Sequence, residues 1–197
     1  MPFMKQYKRS FFVAKRTLDL TLSIGALVIL FPLLLLTALL VKLTSKGPVF
    51  YSQERIGMLG QPFMLHKFRS MVTDAEKHTG PVLAKPKDER ITTFGRFMRR
   101  TRLDEFPQIW NVIKGEMSVV GPRPERKFFI EKHIELQGLR LRVKPGLTGL
   151  AQIEGTYHSL PREKLTFDEF YIKNMSIALD LKIILRTVWV LVSQKGT

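Results

Sequence analysis

A pair of adjacent carboxylates near the middle of the chain has the residue types that chemistry on phosphate requires. The pair is Asp104 and Glu105. Four arginines fall within the seven residues that end two positions before it: Arg96, Arg99, Arg100 and Arg102. Guanidinium groups bind phosphate oxygens in a fork, and neighbouring carboxylates can hold Mg²⁺ or supply a nucleophile. The alternative is a solvated helix face whose acids complement the helix dipole.

Two further basic elements have the same ambiguity between function and structure. Gly121-Pro122-Arg123-Pro124 places one arginine between two prolines whose φ angles are fixed, which lowers the entropic cost of positioning its charge. Such a segment could equally be a structural turn. Lys67 lies at the end of a predicted strand.

Several common chemistries have no support in the sequence. The chain has no cysteine, which excludes disulfides, thiolate metal sites and cysteine nucleophiles. Its four histidines lack the spacing of a zinc site. The phosphate-binding loop of NTPases, the dinucleotide-binding glycine motif and the nucleophile elbow of hydrolases do not occur.

The charge of the chain narrows the classes of partner. The 197 residues carry 32 Lys and Arg against 17 Asp and Glu, a net charge of +15, and 45% are hydrophobic. This length and composition predict one folded catalytic or binding domain rather than a disordered basic tail. The excess positive charge indicates an anionic partner: nucleic acid, a membrane surface or a phosphate-bearing substrate. A membrane-anchored basic binding or scaffold protein without catalysis is the alternative to an enzyme.

An apolar segment near the start of the chain predicts membrane association. Residues 20–41 contain no charge over 22 positions, enough for a helix to cross a hydrocarbon core of about 30 Å. Pro32 lies near its middle and predicts a break or a kink. Basic residues flank both ends, namely Lys5, Lys8, Arg9, Lys15 and Arg16 before it and Lys42, Lys46 and Arg55 after it. These features fit a re-entrant helix-break-helix or an ordinary kinked span, and they leave both open.

The remaining chain must supply the elements that position the polar residues. We divide the whole chain into residues 1–46, the basic N-terminus and membrane hairpin, and residues 47–197, one globular unit. Hydrophobic periodicity, caps and turn residues predict a hairpin from residues 48–52 and 63–68, helices over 92–102, 105–113, 124–139 and 176–192, and a short strand over 150–153. The last helix has an apolar face that packs in the core or lies on the membrane.

A series of motifs in fixed order covers nearly the whole chain. They are Lys15-Arg16-x-x-Asp19, the Pro-interrupted apolar segment, Gly47-Pro48-Val49-Phe50, Gln53-Glu54-Arg55-Ile56-Gly57, Lys67-Phe68-Arg69-Ser70-Met71, Leu103-Asp104-Glu105-Phe106-Pro107-Gln108, Gly121-Pro122-Arg123-Pro124 and Lys144-Pro145-Gly146-Leu147-Thr148-Gly149. With these motifs the chain closely resembles the bacterial sugar transferase family, the small monotopic phosphoglycosyl transferases.

The resemblance implies a reaction and assigns residues to it. A phospho-sugar passes from a UDP-sugar to a membrane polyprenyl phosphate, such as undecaprenyl phosphate, and UMP is released. Asp104 matches the family nucleophile that forms an aspartyl phospho-sugar, and Glu105 matches the residue that binds Mg²⁺. The residues matched to phosphate and nucleotide contacts are Lys67, Arg99, Pro122, Arg123 and Pro124.

The resemblance also implies a fold and a location. It favours the re-entrant hairpin broken at Pro32, with Lys15, Arg16 and Asp19 at the membrane boundary. The expected fold class is α+β and mostly helical, with a short β-hairpin and amphipathic interfacial helices on a cytoplasmic catalytic domain at the bacterial inner membrane. Anionic lipids are expected partners and nucleic acid is not, while a homodimer is one oligomeric state that stays open.

Two positions depart from the pattern of the family. Phe31 precedes Pro32 where a serine is common, and Thr156 stands where many members have an arginine. Arg162 is a candidate to replace that arginine. The donor sugar and the glycan pathway are therefore not predicted.

Overall fold

One long helix carries the apolar segment. In the computed structural model, α1 runs over Arg9–Thr44 for 36 residues and includes Pro32. It is long and apolar enough to cross a membrane, the one such helix among the described residues. The helix is continuous through Pro32 rather than divided into two separate helices, and the re-entrant arrangement stays a prediction. A proline removes a single backbone donor, and the hydrogen bonds of the neighbouring turns can still form.

The structure describes residues 7–77, 80, 82, 88–155 and 161–193, without the side chains of residues 135, 161–163 and 192. The described chain is mostly helical. After α1 come the strands β1 (Phe50–Ile56) and β2 (Pro62–Phe68), then α2 (Thr93–Thr101), a 3₁₀ helix (Leu103–Gln108), α3 (Ile109–Lys114), β3 (Ser118–Val120), α4 (Lys127–Lys132), β4 (Gly146–Thr148), α5 (Leu150–Glu154), α6 (Pro161–Lys173) and α7 (Ile177–Ser193).

The predicted hairpin is confirmed. Strands β1 and β2 pair antiparallel over seven residues each, from Phe50 opposite Phe68 to Ile56 opposite Pro62. Gly60 adopts a φ of 75° in the turn, where a residue with a side chain would be strained. The register brings Lys67 to the end of β2, beside Tyr51 on β1.

The helices that follow the hairpin differ from prediction in their boundaries. The helix predicted over residues 92–102 is confirmed as α2, and the Thr92 side chain accepts a hydrogen bond from the Gly95 amide at 2.9 Å. The helix predicted over 105–113 is instead a 3₁₀ helix followed by α3. Pro107 accounts for the division, since it cannot donate a backbone hydrogen bond within a continuous α-helix.

Two predictions in the second half of the chain are wrong. The helix expected over residues 124–139 is only α4, followed by 3₁₀ turns over Ile134–Gln137 and Leu139–Arg142. The strand expected over 150–153 is the helix α5, and the strand lies earlier, as β4 paired in parallel with β3. Apolar runs of four or five residues carry too little periodicity to separate a strand from a helix.

The C-terminal helices close the main hydrophobic core. The predicted helix over 176–192 is confirmed as α7, and α6 was not predicted. The buried core side chains of this region come from β3, α6, α7 and the connecting segments: Val120, Val143, Tyr171, Ile172, Met175 and Ile183. A second cluster joins α1 to the hairpin and α2 through Val41, Phe68 and Met98. Helix α1 thus packs against the folded unit that follows it.

Buried polar contacts hold the N-terminal half of α1. Arg16 donates to the carbonyls of Val112 and Ile113, at 2.6 and 2.7 Å, where α3 ends. Asp19, 4% exposed, accepts hydrogen bonds from the Ser118 hydroxyl and the Val119 amide at 3.0 and 2.9 Å. These contacts fix α1 against α3 and β3.

The C-terminal end of α1 is held by one buried arginine. Arg69, directly after β2, donates to the carbonyls of Ser45 and Lys46 at 2.8 Å each. It also donates to the Ser45 hydroxyl at 2.6 Å. Carbonyls at a helix end lack intrahelical partners, and a guanidinium satisfies them well. Both ends of α1 are therefore bonded to the same folded unit.

Candidate active site

Four elements bring the predicted catalytic and substrate-binding residues together. Lys67 lies on β2, Arg99 on α2, Asp104 and Glu105 in the first turn of the 3₁₀ helix, and Arg123 on the loop after β3. Residue Arg102 ends α2 in the left-handed conformation, with φ 59° and ψ 13°, and so turns the chain into the 3₁₀ helix. This turn brings the Glu105 carboxylate to Lys67 on β2.

A buried asparagine docks α3 against β2. The Asn111 amide nitrogen donates to the Met64 carbonyl at 2.7 Å, and its oxygen accepts from the His66 amide at 3.2 Å. The contact fixes the position of the 3₁₀ helix that precedes α3, and with it the distance between Glu105 and Lys67. Sequence reasoning missed Asn111 as a positioning residue.

Three cations converge on the Glu105 carboxylate. Arg123 binds it with both terminal nitrogens, at 2.6 Å to Oε1 and 3.2 Å to Oε2. Lys67 lies 3.3 Å and Arg102 3.6 Å from Oε1. Burial alone would raise the Glu105 pKa, but the charges of Arg123, Lys67 and Arg102 outweigh it and hold the pKa well below its ordinary range. Glu105 is therefore ionised.

Asp104 has a different environment although it is the next residue. It is 5% exposed, and no hydrogen bond or ion pair to its carboxylate occurs among the described residues. Burial raises its pKa, the charge of Lys67 opposes this rise, and the neighbouring Glu105 reinforces it. A carboxylate that is desolvated and unpaired is a better nucleophile than one held by several cations.

The cations of the site are themselves shifted by their surroundings. Burial lowers the Lys67 pKa, with Glu105 opposing the shift. The Glu105 charge raises the Arg123 pKa, against the effect of burial. Arg99 is half-buried, and its charge lowers the Asp104 pKa, whereas Arg96 and Arg100 are exposed. Part of the arginine cluster therefore lies at the site, and part lies at the surface.

The loop that carries Arg123 is shaped by close backbone packing. Gly121 donates to the Thr148 carbonyl at 2.9 Å, and the Gly146 amide donates to the Pro122 carbonyl at 2.9 Å. A Cβ on Gly121 would lie 2.5 Å from the Lys144 carbonyl oxygen, so only glycine fits. Residues 144–149 thus form the support of the Arg123 loop, and Pro122 and Pro124 are both buried in it.

A buried charge network from α1 reaches the start of this loop. Lys15 forms an ion pair with Asp180 at 2.7 Å and donates to the Tyr171 hydroxyl and the Val120 carbonyl at 3.1 Å each. Tyr171 in turn donates to Asp180 at 2.7 Å. The placement of Lys15, Arg16 and Asp19 at a membrane boundary stays a prediction. Sequence reasoning missed Tyr171 and Asp180, although a lone acid in the apolar α7 was a signal.

The donor set fits Mg²⁺ only together with a phosphate ligand. The described residues contain no group of three or more His, Cys, Asp or Glu that could hold a metal. Asp104 and Glu105 offer at most two carboxylates, and Mg²⁺ takes six oxygens, commonly completed by substrate phosphates and water. The three cations on Glu105 also disfavour a lone divalent ion. A diphosphate would supply both oxygens and compensating negative charge.

The other predicted residues lie apart from this cluster. Pro32 is exposed on α1. Thr156 and the side chain of Arg162, the proposed replacement for a family arginine, lie outside the described part of the chain.

Comparison with known proteins identifies the family. The model of the bacterial sugar transferase family matches residues 10–194. The chain therefore belongs to this family, whose members are enzymes, and the resemblance inferred from its motifs is confirmed.

Individual relatives agree with this assignment. The chain is 46% identical over 186 residues to a UDP-glucose:undecaprenyl-phosphate glucose-1-phosphate transferase of Klebsiella pneumoniae, covering 90% of this chain and 40% of that protein. It is 40% identical over 180 residues to a UDP-N-acetylgalactosamine-undecaprenyl-phosphate N-acetylgalactosaminephosphotransferase of Aeromonas hydrophila, covering 88% and 42%. An uncharacterized sugar transferase of Bacillus subtilis is 43% identical over 176 residues, covering 89% and 86%. The chain spans about two fifths of the length of the first two.

The electrostatics of the carboxylate pair can be tested without turnover. We expect the Asp104 pKa to lie above its ordinary 3.8. Lys67→Met should raise it further, because removing a cation disfavours the carboxylate, whereas Lys114→Met, at an exposed lysine, should not change it. Carbon-13 NMR titration of the aspartate carboxyl groups measures this. An Asp104 pKa at or below 3.8, or one insensitive to Lys67→Met, would contradict the assignment.

Proposed function

We propose that this protein transfers a phospho-sugar from a UDP-sugar to a membrane polyprenyl phosphate, with undecaprenyl phosphate as the acceptor named for its relatives. The proposal rests on one observation: two adjacent carboxylates have different electrostatic environments. Three cations form ion pairs with the Glu105 carboxylate. Asp104 is buried, has no ion pair among the described residues, and has a raised pKa. This arrangement suits attack by a carboxylate on a charged phosphorus.

The reaction has two displacements at one phosphorus. An oxygen of ionised Asp104 attacks the phosphorus that bears the sugar, and the bond from that phosphorus to the UMP oxygen breaks, which releases UMP. An oxygen of the polyprenyl phosphate then attacks the same phosphorus, and the bond to Asp104 breaks. The products are UMP and a polyprenyl diphosphate sugar, and Asp104 returns to its ionised form.

The basic residues make the approach of two anions feasible. A carboxylate and a diphosphate repel each other, and positive charge placed near the reacting atoms reduces this barrier. Lys67 and Arg123 lie at the carboxylate pair, and Arg99 acts on Asp104. When a donor binds, Arg123 can exchange part of its contact with Glu105 for a phosphate oxygen, because a guanidinium has five donors.

Magnesium fits the site as a cofactor that binds with the donor. Glu105, together with diphosphate oxygens, would hold the ion, and Mg²⁺ when bound supplies charge neutralisation at the diphosphate. Asp104 is thereby left to act as the nucleophile. The ionised state of Glu105, maintained by Arg123 and Lys67, keeps it competent as a ligand.

The contacts of α1 support a monotopic arrangement in which both ends of the helix lie on one side of the membrane. Asp19 is bonded to β3, and Ser45 to Arg69 after β2. One folded domain cannot occupy both sides of a bilayer, so a simple span conflicts with these two contacts. Pro32 is where bending of the helix costs least. Since UDP-sugars are nucleotides of the cytoplasm, we place the domain on the cytoplasmic face of the bacterial inner membrane.

Exposed apolar side chains supply further contact with lipid. Helix α7 exposes Leu181, Leu185, Val188 and Trp189 on one side. In combination with the net charge of +15, this face fits an interfacial helix on an anionic membrane.

Release of UMP tests the proposed reaction. Purified protein in detergent, given Mg²⁺, undecaprenyl phosphate and a panel of UDP-sugars, should release UMP from at least one donor. Asp104→Asn should lower the rate by roughly a thousandfold or more, because it removes the nucleophile. Asp74→Asn makes the same chemical change at an exposed site and should leave the rate unchanged.

Three outcomes would contradict the proposal. They are no UMP from any donor, full activity of Asp104→Asn, and, for the role of the metal, activity that persists in EDTA.

Cysteine labelling in cells tests the orientation of α1. The chain contains no cysteine, so Ser10→Cys and Thr44→Cys each introduce one reporter near an end of the helix. An impermeant maleimide should label neither in intact cells and both after permeabilisation. Labelling of either reporter in intact cells would show that α1 crosses the membrane or that the domain faces outward.

A further inference from the structure

The short loop that carries Arg123 is contacted by charged side chains at its start and at Arg123 itself. At its start, the Val120 carbonyl accepts from Lys15 at 3.1 Å. At Arg123 itself, the backbone carbonyl accepts from Nη2 of Arg140 at 2.9 Å. The first contact belongs to the α1 network described above. The second comes from a residue that neither the motifs nor the proposed chemistry uses.

Arg140 links the loop to α6 through an almost fully buried ion pair. Its Nε lies 2.8 Å from Oδ2 of Asp168, and the two side chains are 10% and 3% exposed. One guanidinium therefore contacts a carboxylate on α6 and the active-site backbone at once. The fork of an arginine makes this possible because its nitrogens point in fixed, different directions.

A contribution to the stability of the fold does not by itself explain the buried ion pair of Arg140 and Asp168. Burial raises the Asp168 pKa to about 6 even though Arg140 opposes the shift, and Glu125 adds to it. The folded protein thus disfavours the ionised carboxylate on balance. Buried ion pairs commonly cost as much in lost hydration as they return in attraction, and apolar replacements of both partners are often equally stable. A role in geometry is the better explanation.

We propose that Arg140, held by Asp168, is a positioning residue that fixes the backbone of Arg123 and so directs its guanidinium to Glu105. This inference rests on the proposed function, in which Arg123 neutralises charge at the donor diphosphate. The backbone of the loop has little other freedom to change conformation, because Pro122 and Pro124 restrict φ on both sides of Arg123. A shift of about 1 Å in the Arg123 carbonyl is transmitted directly to its side chain.

The bidentate contact between Arg123 and Glu105 depends on the position of the Arg123 backbone. Its two nitrogens lie 2.6 and 3.2 Å from the two oxygens of Glu105, and such paired contacts require a defined orientation of both planes. The Arg123 side chain is one third exposed, at 35%, so packing around it is incomplete. Its orientation depends strongly on where its own backbone is held.

A double-mutant cycle separates positioning from general structural support. Arg140→Met with Asp168→Leu removes both charges together, which avoids an unpaired buried charge and should leave thermal unfolding nearly unchanged. We expect this double variant to lower kcat/KM for the donor by about tenfold or more. In an Arg123→Ala background the same pair of changes should lower it less than twofold. The matched control is Glu169→Leu with Lys173→Met, an exposed ion pair on the same helix, which should have no effect in either background.

A second measurement does not depend on turnover. Restricted rotation of the Arg123 guanidinium on Glu105 should give resolved Nη signals in NMR spectra of nitrogen-15 arginine-labelled protein. Arg140→Met with Asp168→Leu should merge them, and the control pair should not. Equal losses of kcat/KM in both backgrounds, an unaffected rate, or unchanged Arg123 signals would each overturn the inference. Absence of UMP release by the parent would instead refute the proposed function, and the NMR comparison would still decide the role of Arg140.

Discussion

The distribution of positive charge between two neighbouring carboxylates is the interaction on which the rest of this site depends. Arg123, Lys67 and Arg102 all approach Glu105, and none of them forms an ion pair with Asp104. Adjacent residues in a 3₁₀ helix point in different directions, so a single turn can present one carboxylate to a group of cations and bury the other. The first becomes a stable anion. The second keeps a raised pKa and has no ion pair among the described residues, as the proposed nucleophilic role requires.

This distribution is maintained by contacts that begin far away in the sequence. Lys15 and Asp19 on α1 hold β3, and the loop after β3 carries Arg123. Arg69 holds the other end of α1 next to β2, the strand that carries Lys67. The apolar helix is therefore part of the framework of the site as well as a membrane element. The placement of this apolar helix and the positioning of Lys67 and Arg123 therefore depend on the same buried polar contacts.

Part of this arrangement could be predicted from the sequence, because local patterns determine it. The β-hairpin followed from alternation and turn glycines, α2 from its Thr92 cap, and the Asp104-Glu105 pair from its adjacent arginines. Which cations reach Glu105 could not be predicted. Arg102 was one of four candidates in its cluster, and its contact depends on a left-handed backbone at that residue. The partnership of Lys15 with Asp180 spans 165 positions and depends on the packing of α1 against α7. Pro32 leaves the helix continuous, although proline is a strong local signal for an interruption.

The most direct test of a nucleophilic Asp104 is the mass of the protein itself after reaction with a donor. Purified protein is mixed with Mg²⁺ and the active UDP-sugar in the absence of polyprenyl phosphate, quenched in acid and analysed as intact protein and as peptides. The expected result is a gain of one phospho-sugar on the peptide that contains Asp104, and loss of this gain when undecaprenyl phosphate is added before the quench. Unmodified protein at every time point, despite UMP release once acceptor is present, would contradict a covalent role for Asp104.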